Sequence, residues 1–128
     1  MTAGWSAEDL RLIDEAVELD IAVRRADGSL RRWAPIWVVR AGEQVYVRSW
    51  HRRDTGWFGA AVRSRRGRIR VPGLEADVTI EDVGGMSGGV SAAVDAAYRM
   101  KYGGGAGSMV TAAATATTLR LDPDVAAS

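Results

Sequence analysis

His51 is the only histidine of this 128-residue chain, and it stands in the run R-S-W-H-R-R-D from Arg48 to Asp54. An imidazole titrates near neutrality, so His51 is the natural proton-transfer group, and Asp54 three residues on is close enough to orient it. Arg48, Ser49, Arg52 and Arg53 add guanidinium forks and a hydroxyl, the donors that hold a phosphate or carboxylate at the end of a strand. Trp37, Trp50 and Trp57 flank the run and offer flat faces to a ring system. Further on, Asp95, Tyr98, Arg99 and Tyr102 are spaced i, i+3, i+4 and i+7, one stripe of a helix. The stripe has two readings. Asp95 and Arg99 pair on a solvated face with the tyrosines packed beside them, or Tyr98 and Asp95 face a ligand as an acid–base pair.

Other chemistry is excluded by composition. Without cysteine there is no disulfide, no thiolate nucleophile and no zinc site of the cysteine type, and one histidine makes a poor transition-metal site. The cluster Gly103-Gly104-Gly105-Ala106-Gly107 follows a helical pattern, whereas a phosphate-binding loop or a dinucleotide fingerprint must follow a strand. The N-terminal MTAGWSAEDL carries acids where a signal peptide carries a basic and then an apolar region, and no stretch reaches about 18 apolar residues. The expectation is a cytoplasmic protein with no membrane segment, folded as a single domain over residues 1–128.

Charge is segregated along the chain despite a net +1. Residues 1–23 hold one arginine against six acids, residues 24–70 thirteen arginines against three, and residues 71–128 three basic groups against seven. Of seventeen basic side chains sixteen are arginine, the residue suited to bidentate contact with phosphate or carboxylate. Interleaved arginine and tryptophan also suit single-stranded nucleic acid. The acidic ends can complement the basic centre, however, and no nucleic-acid motif is present, so nucleic acid is not the expected partner.

The elements that must position these groups follow from periodicity. Ser6 caps a helix running to about Glu18, with Leu10, Ile13 and Val17 on its apolar face. A strand from Leu19 meets the two-residue turn Asp27-Gly28 and returns from Leu30 to Arg40, where Pro35 demands an edge or a bulge. The turn Ala41-Gly42-Glu43 leads to a strand from Gln44 to Trp50, with Val45 and Val47 on one face and Tyr46 and Arg48 on the other. On the returning strand Trp37 and Val39 are likewise opposed to Ile36, Val38 and Arg40. A polar loop, His51 to Gly56, precedes a short helix at Trp57–Val62. Gly67–Val71 and Glu75–Glu81 form a second hairpin around Pro72-Gly73, and Gly84–Gly89 reads as a flexible connector able to serve as a lid. A helix from Val90 to Tyr102 with Gly103 as its cap, then a strand Thr117–Leu121, complete the chain. This order predicts an α+β fold: an antiparallel barrel-like sheet of about six strands, two longer helices and one short helix.

The run P-I-W-V-V-R (Pro35 to Arg40), Y-V-R-S-W (Tyr46 to Trp50), R-D-T-G-W-F (Arg53 to Phe58), D-A-A-Y-R-M-K-Y-G (Asp95 to Gly103) and T-T-L-R-L (Thr117 to Leu121) resembles a bacterial family of short proteins, a numbered domain of unknown function. More remotely, Pro35–Trp37, Tyr46–Ser49 and Trp57 make the chain similar to the split β-barrel clan of pyridoxamine-phosphate-oxidase-like flavoproteins and deazaflavin-dependent nitroreductases. That resemblance implies a homodimer with FMN or a deazaflavin at the subunit interface. Its phosphate would be held by Arg48, Ser49 and Arg53, and its ring flanked by Trp37, Trp50 and Trp57. The segment before the last strand departs from the clan in being rich in glycine and alanine. The function expected is therefore oxidoreduction of a small organic substrate. The alternative is a cofactor-free cyclase, isomerase or hydrolase using His51 with Asp54, or Tyr98 with Asp95.

Overall fold

The computed structural model describes residues 4–49, 56–84 and 88–124. Helix α1 (Ala7–Glu15) begins on a capping box, in which Ser6 Oγ accepts from Asp9 N at 3.1 Å and the Asp9 carboxylate accepts from Ser6 N at 3.5 Å. Leu10 and Ile13 are buried, but the helix stops at Glu15 instead of Glu18, and Val17 is 71% exposed rather than on an apolar face. Ala16 is already extended. Turning there delivers Leu19 and Ile21, both fully buried, into the sheet, which gains more than one further helical turn would.

Seven antiparallel strands make one sheet in the order β2-β1-β5-β6-β7-β4-β3. They are β1 Leu19–Val23, β2 Ala34–Ile36, β3 Val38–Ala41, β4 Gln44–Val47, β5 Arg66–Val71, β6 Leu74–Asp82 and β7 Leu119–Pro123. The expected strand Leu30–Arg40 is in fact two, and this is what shapes the fold. Leu30 bridges Arg24, but Ala34 pairs with Ile21 and Pro35 with Asp20, so the register slips by one residue in between. Pro35 sits on the edge, as its missing N–H requires. After Ile36 the chain leaves β1, and beyond Trp37 it resumes as the opposite edge of the sheet, with Val38 opposite Val47. The two edges are thus consecutive in sequence, and the sheet curls into a nearly closed barrel.

The main core fills this barrel with Ile21, Ile36, Val38, Val45, Val47, Ile69, Ile80, Leu119 and Leu121, closed by Ile13 of α1 and by Phe58, Ala60 and Ala61 of α2 (Gly56–Ser64). Trp5 contributes from outside α1, its Nε1 donating to Leu121 O at 2.9 Å. A second cluster, Val39, Tyr46, Val94, Tyr98, Ala106 and Met109, lies between the outer face of β3 and β4 and helix α3 (Gly88–Tyr102). The predicted alternation holds on both strands: Ile36, Val38, Val45 and Val47 face the barrel, while Val39 and Tyr46 face α3, with Trp37 packed against that cluster.

Gly103 adopts φ 57° as the expected left-handed cap, and Gly103–Met109 then continues as a 3-10 segment packed on Trp37, whose ring is 3.4 Å from where a Cβ of Gly105 would stand. Residues 85–87 of the expected lid lie outside the described residues. A single turn, α4 (Ala112–Thr115), precedes β7, which starts two residues later than Thr117. Thr117 and Thr118 are instead the buried turn before it, their hydroxyls donating to Ala114 O and Thr115 O at 2.6 Å each.

The acidic and basic segments meet as their charges suggested. Asp77 takes Arg24 at 2.6 Å and Arg68 at 3.0 Å, and Glu75 takes Arg68 at 2.6 Å. Asp20 takes Arg70 at 3.2 Å.

Candidate functional site

Five of the sequence-derived site residues, Trp50, His51, Arg52, Arg53 and Asp54, lie outside the described residues. The others do not share one site. Arg48 points between α3 and the 3-10 segment and is 1% exposed. Its guanidinium donates to Asp95 Oδ1 at 2.5 Å, Thr118 Oγ1 and Met109 O at 2.8 Å each, and Ser91 O at 3.4 Å. Asp95 therefore serves Arg48, and the reading that pairs it with Arg99 is corrected: the residue that follows β4 is a buried cation against α3, whose need for a counter-charge is greater. Ser49 is buried, and its N–H donates to Thr117 Oγ1 at 2.9 Å. Tyr98 is fully buried and donates to Trp37 O at 3.2 Å; burial pushes its phenol above the ordinary tyrosine range. Trp37 stacks on Tyr102, with centroids 4.2 Å apart and planes 3° apart.

Trp57 leads elsewhere. Half-buried at the start of α2 and edge-on to Phe58 at 5.8 Å, it belongs to the wall of a groove between the β1–β2 hairpin and α2. Two hollows, of about 520 and 390 Å³, run together there through Arg25, Arg31 and Arg63, which line both. Arg24 and Arg66 line the first, while Arg32, Trp33 and Trp57 line the second. Six arginines and two indoles thus face one groove, and among the described residues no carboxylate lines it.

Local structure explains the convergence. Gly28, at φ 89°, closes the hairpin, with Arg25 N donating to Ser29 O at 2.8 Å, so Arg24-Arg25 and Arg31-Arg32 emerge side by side from its two legs. Arg63 lies in the last turn of α2, where a cation meets the negative end of the helix dipole. Arg65 then takes φ 63° to swing the chain into β5, placing Arg66 beside the hairpin. Arg24 is held by Gly28 O at 2.7 Å and Asp77 at 2.6 Å, Arg25 by Leu30 O at 2.8 Å, and Arg66 by Asp124 at 3.5 Å. Arg31, Arg32 and Arg63 are exposed and have no ion-pair partner among the described residues. Trp33 is steadied by the Arg70 guanidinium 4.2 Å from its ring centroid.

Such a groove suits an elongated anion with a flat portion: guanidinium forks for phosphate or carboxylate, indoles for a ring. The focus on Arg48 to Trp57 missed it. The signal was two arginine doublets placed symmetrically about the Asp27-Gly28 turn, legible once the hairpin is drawn. Among the described residues no three His, Asp or Glu side chains converge as a metal site, and no helix is long and apolar enough to cross a membrane.

A crystal structure of a conserved hypothetical protein, Rv2991 from Mycobacterium tuberculosis, has the same fold, with a TM-score of 0.61 over 94% of this chain and 81% of that one at 12% sequence identity. No curated protein matches the chain. The profile of an uncharacterised protein family conserved in bacteria, DUF2255, matches residues 9–121, and the chain belongs to that family.

Proposed function

We propose that this protein binds a small phosphorylated ligand with a planar ring in the arginine groove, and that the ligand is a flavin or deazaflavin serving the oxidoreduction of a small organic molecule. The observation that carries the reading is the set of six arginines with Trp33 and Trp57 on a groove that no acid lines among the described residues. The residues present fit such a group: the Arg31 and Arg63 guanidiniums have no ion-pair partner among the described residues, and the two indoles stand in the hollow next to them. Volumes of about 520 and 390 Å³ fall in the usual range for small-molecule sites. When bound, a flavin supplies the hydride chemistry, while the chain's part is to bind and orient it. The cofactor-free alternative gains less support, since Asp95 is engaged by Arg48 and the Tyr98 hydroxyl by Trp37 O. The homodimer that the barrel resemblance implies belongs to the same reading and is checked by light scattering.

The test is titration with FMN and with riboflavin, followed by flavin fluorescence. FMN is expected to bind at least about tenfold more tightly than riboflavin, and Arg31→Ala with Arg63→Ala to remove that advantage, each charge-assisted contact being worth about 1.5–3 kcal/mol. Equal affinity for the two compounds, or an FMN affinity untouched by the double substitution, would sink the reading.

A further inference from the structure

Lys101 is the single lysine in a chain whose other sixteen basic side chains are arginine. It lies half-buried near the end of α3, where that helix meets α1 and β3. Its Nζ donates to Val38 O at 2.8 Å and to Ile13 O at 3.1 Å, and sits 5.4 Å from the centroid of the Tyr102 ring. Beside it opens a hollow of about 440 Å³ with Val39, Ala97 and Met100 as apolar wall and two charged neighbours, Asp14 from α1 and Arg40 from β3. Arg40 Nε donates to Gly42 O at 3.1 Å, and the guanidinium has no ion pair among the described residues.

An arginine here would carry the same charge and could serve the same two carbonyls with its fork. What it cannot do is release a proton and attack an electrophile. A neutral lysine amine has two N–H bonds, which match the two carbonyls, and keeps a lone pair for a third direction. Burial lowers the ammonium to about 8, against the opposing pull of Asp14, so about a tenth of the amine is neutral at pH 7.

We propose that Lys101 is the amine of a second ligand site, which takes a small carbonyl compound bearing an anionic group and holds it as an imine, with Arg40 binding the anion. The amine nitrogen adds to the carbonyl carbon, a proton passes from nitrogen to oxygen, and the carbinolamine expels water as the carbon–nitrogen double bond forms. No oxidant or reductant is consumed. The protonated imine keeps one N–H, which serves one of the two carbonyls, while the Tyr102 hydroxyl donates to Val17 O at 2.7 Å.

The test incubates the intact protein with glyoxylate and cyanoborohydride, then maps the carboxymethylated peptides, with Nα-acetyl-lysine as the reference amine. Lys101 is expected to be labelled about tenfold or more faster than the reference at pH 7, with the rate levelling off above about pH 8. Acetaldehyde, which has no anionic group, should label Lys101 more slowly than glyoxylate does. Arg40→Met should remove that preference, and Arg40→Lys should retain it. Labelling no faster than the reference amine overturns the proposal, as does a glyoxylate preference that survives Arg40→Met in a variant whose circular dichroism is native. Should Arg40→Met fail to fold, the wild-type comparison decides: glyoxylate labelling that excess acetate does not slow counts against the anion subsite.

Discussion

Replacing Arg48 with methionine tests whether this arginine holds the fold or binds a ligand. The guanidinium touches four acceptors on three segments: Asp95 and Ser91 of α3, Met109 of the 3-10 segment, and Thr118 before β7. Methionine fills the space of the stem but leaves those acceptors without a charged donor. Thr118 Oγ1 still donates to Thr115 O, and the Asp95 side chain, 24% exposed, can rehydrate. Met109 O has no such recourse in a buried setting. At about 1–3 kcal/mol for each buried acceptor left unpaired, with the lower end for Asp95, the loss is about 3–5 kcal/mol, in line with the cost of breaking a buried ion pair from one side. In urea the midpoint should fall by about 2 M at an unchanged slope. Asp95→Ala strands the buried cation and should cost about as much, and the double substitution should cost less than the two together by about 1 kcal/mol or more. A loss below about 1 kcal/mol for Arg48→Met, or strict additivity, would refute the reasoning; so would a variant of native stability that had lost FMN binding.

Gly84→Ala should destabilise by about 2 kcal/mol or more in the same assay, because the added Cβ would stand 2.0 Å from Ala116 O, while Gly104→Ala, with nothing within 4 Å, should change little. Trp5→Phe removes the donor to Leu121 O in a buried site and should cost about 1–2 kcal/mol, read from thermal melts. Arg31→Ala and Arg63→Ala, lacking ion-pair partners among the described residues, should leave stability within about 0.5 kcal/mol, which separates binding effects from folding effects. The depressed Lys101 ammonium, about 8 against an ordinary 10.5, means that the unfolded chain binds more protons between those values, so stability should rise with pH across that window. Allowing for its half-exposure, the rise is about 1–2 kcal/mol, and Lys101→Met should flatten it. Above about pH 10 Tyr102, pushed up to about 12 by burial, acts with the opposite sign, since the folded chain keeps a proton that the unfolded one releases. Denaturation between pH 7 and 9.5 therefore isolates the lysine.

Much of the architecture was legible because it rests on local rules. The Ser6 cap, the Ala41-Gly42 turn, the edge position of Pro35 and the two-faced pattern of β3 and β4 each follow from a few neighbouring residues, whereas the first hairpin turns through three residues, Ala26-Asp27-Gly28, and not the expected two. The candidate site was less so. Arg48 is charged and stands next to a serine at a strand end, and nothing local distinguishes an arginine that meets a ligand from one that meets Asp95, forty-seven residues away. Likewise the groove draws on Arg24, Arg31 and Arg63, which come together through the packing of α2 across the first hairpin.

By itself the sequence determined the α+β class, the antiparallel pairing, the segregation of charge and the presence of arginine and tryptophan in quantity, since periodicity, turn chemistry and composition act over a few residues. Tertiary structure alone decided that β2 and β3 are opposite edges of one sheet and that Arg48 faces inward. It also decided which arginines meet a carboxylate, and that the one lysine lies between α1 and β3. Each of these depends on which distant groups become neighbours. Burial and counter-charge, the two terms that turn a basic side chain into a strut, a ligand clamp or a nucleophile, are set by those neighbours and not by the residue type.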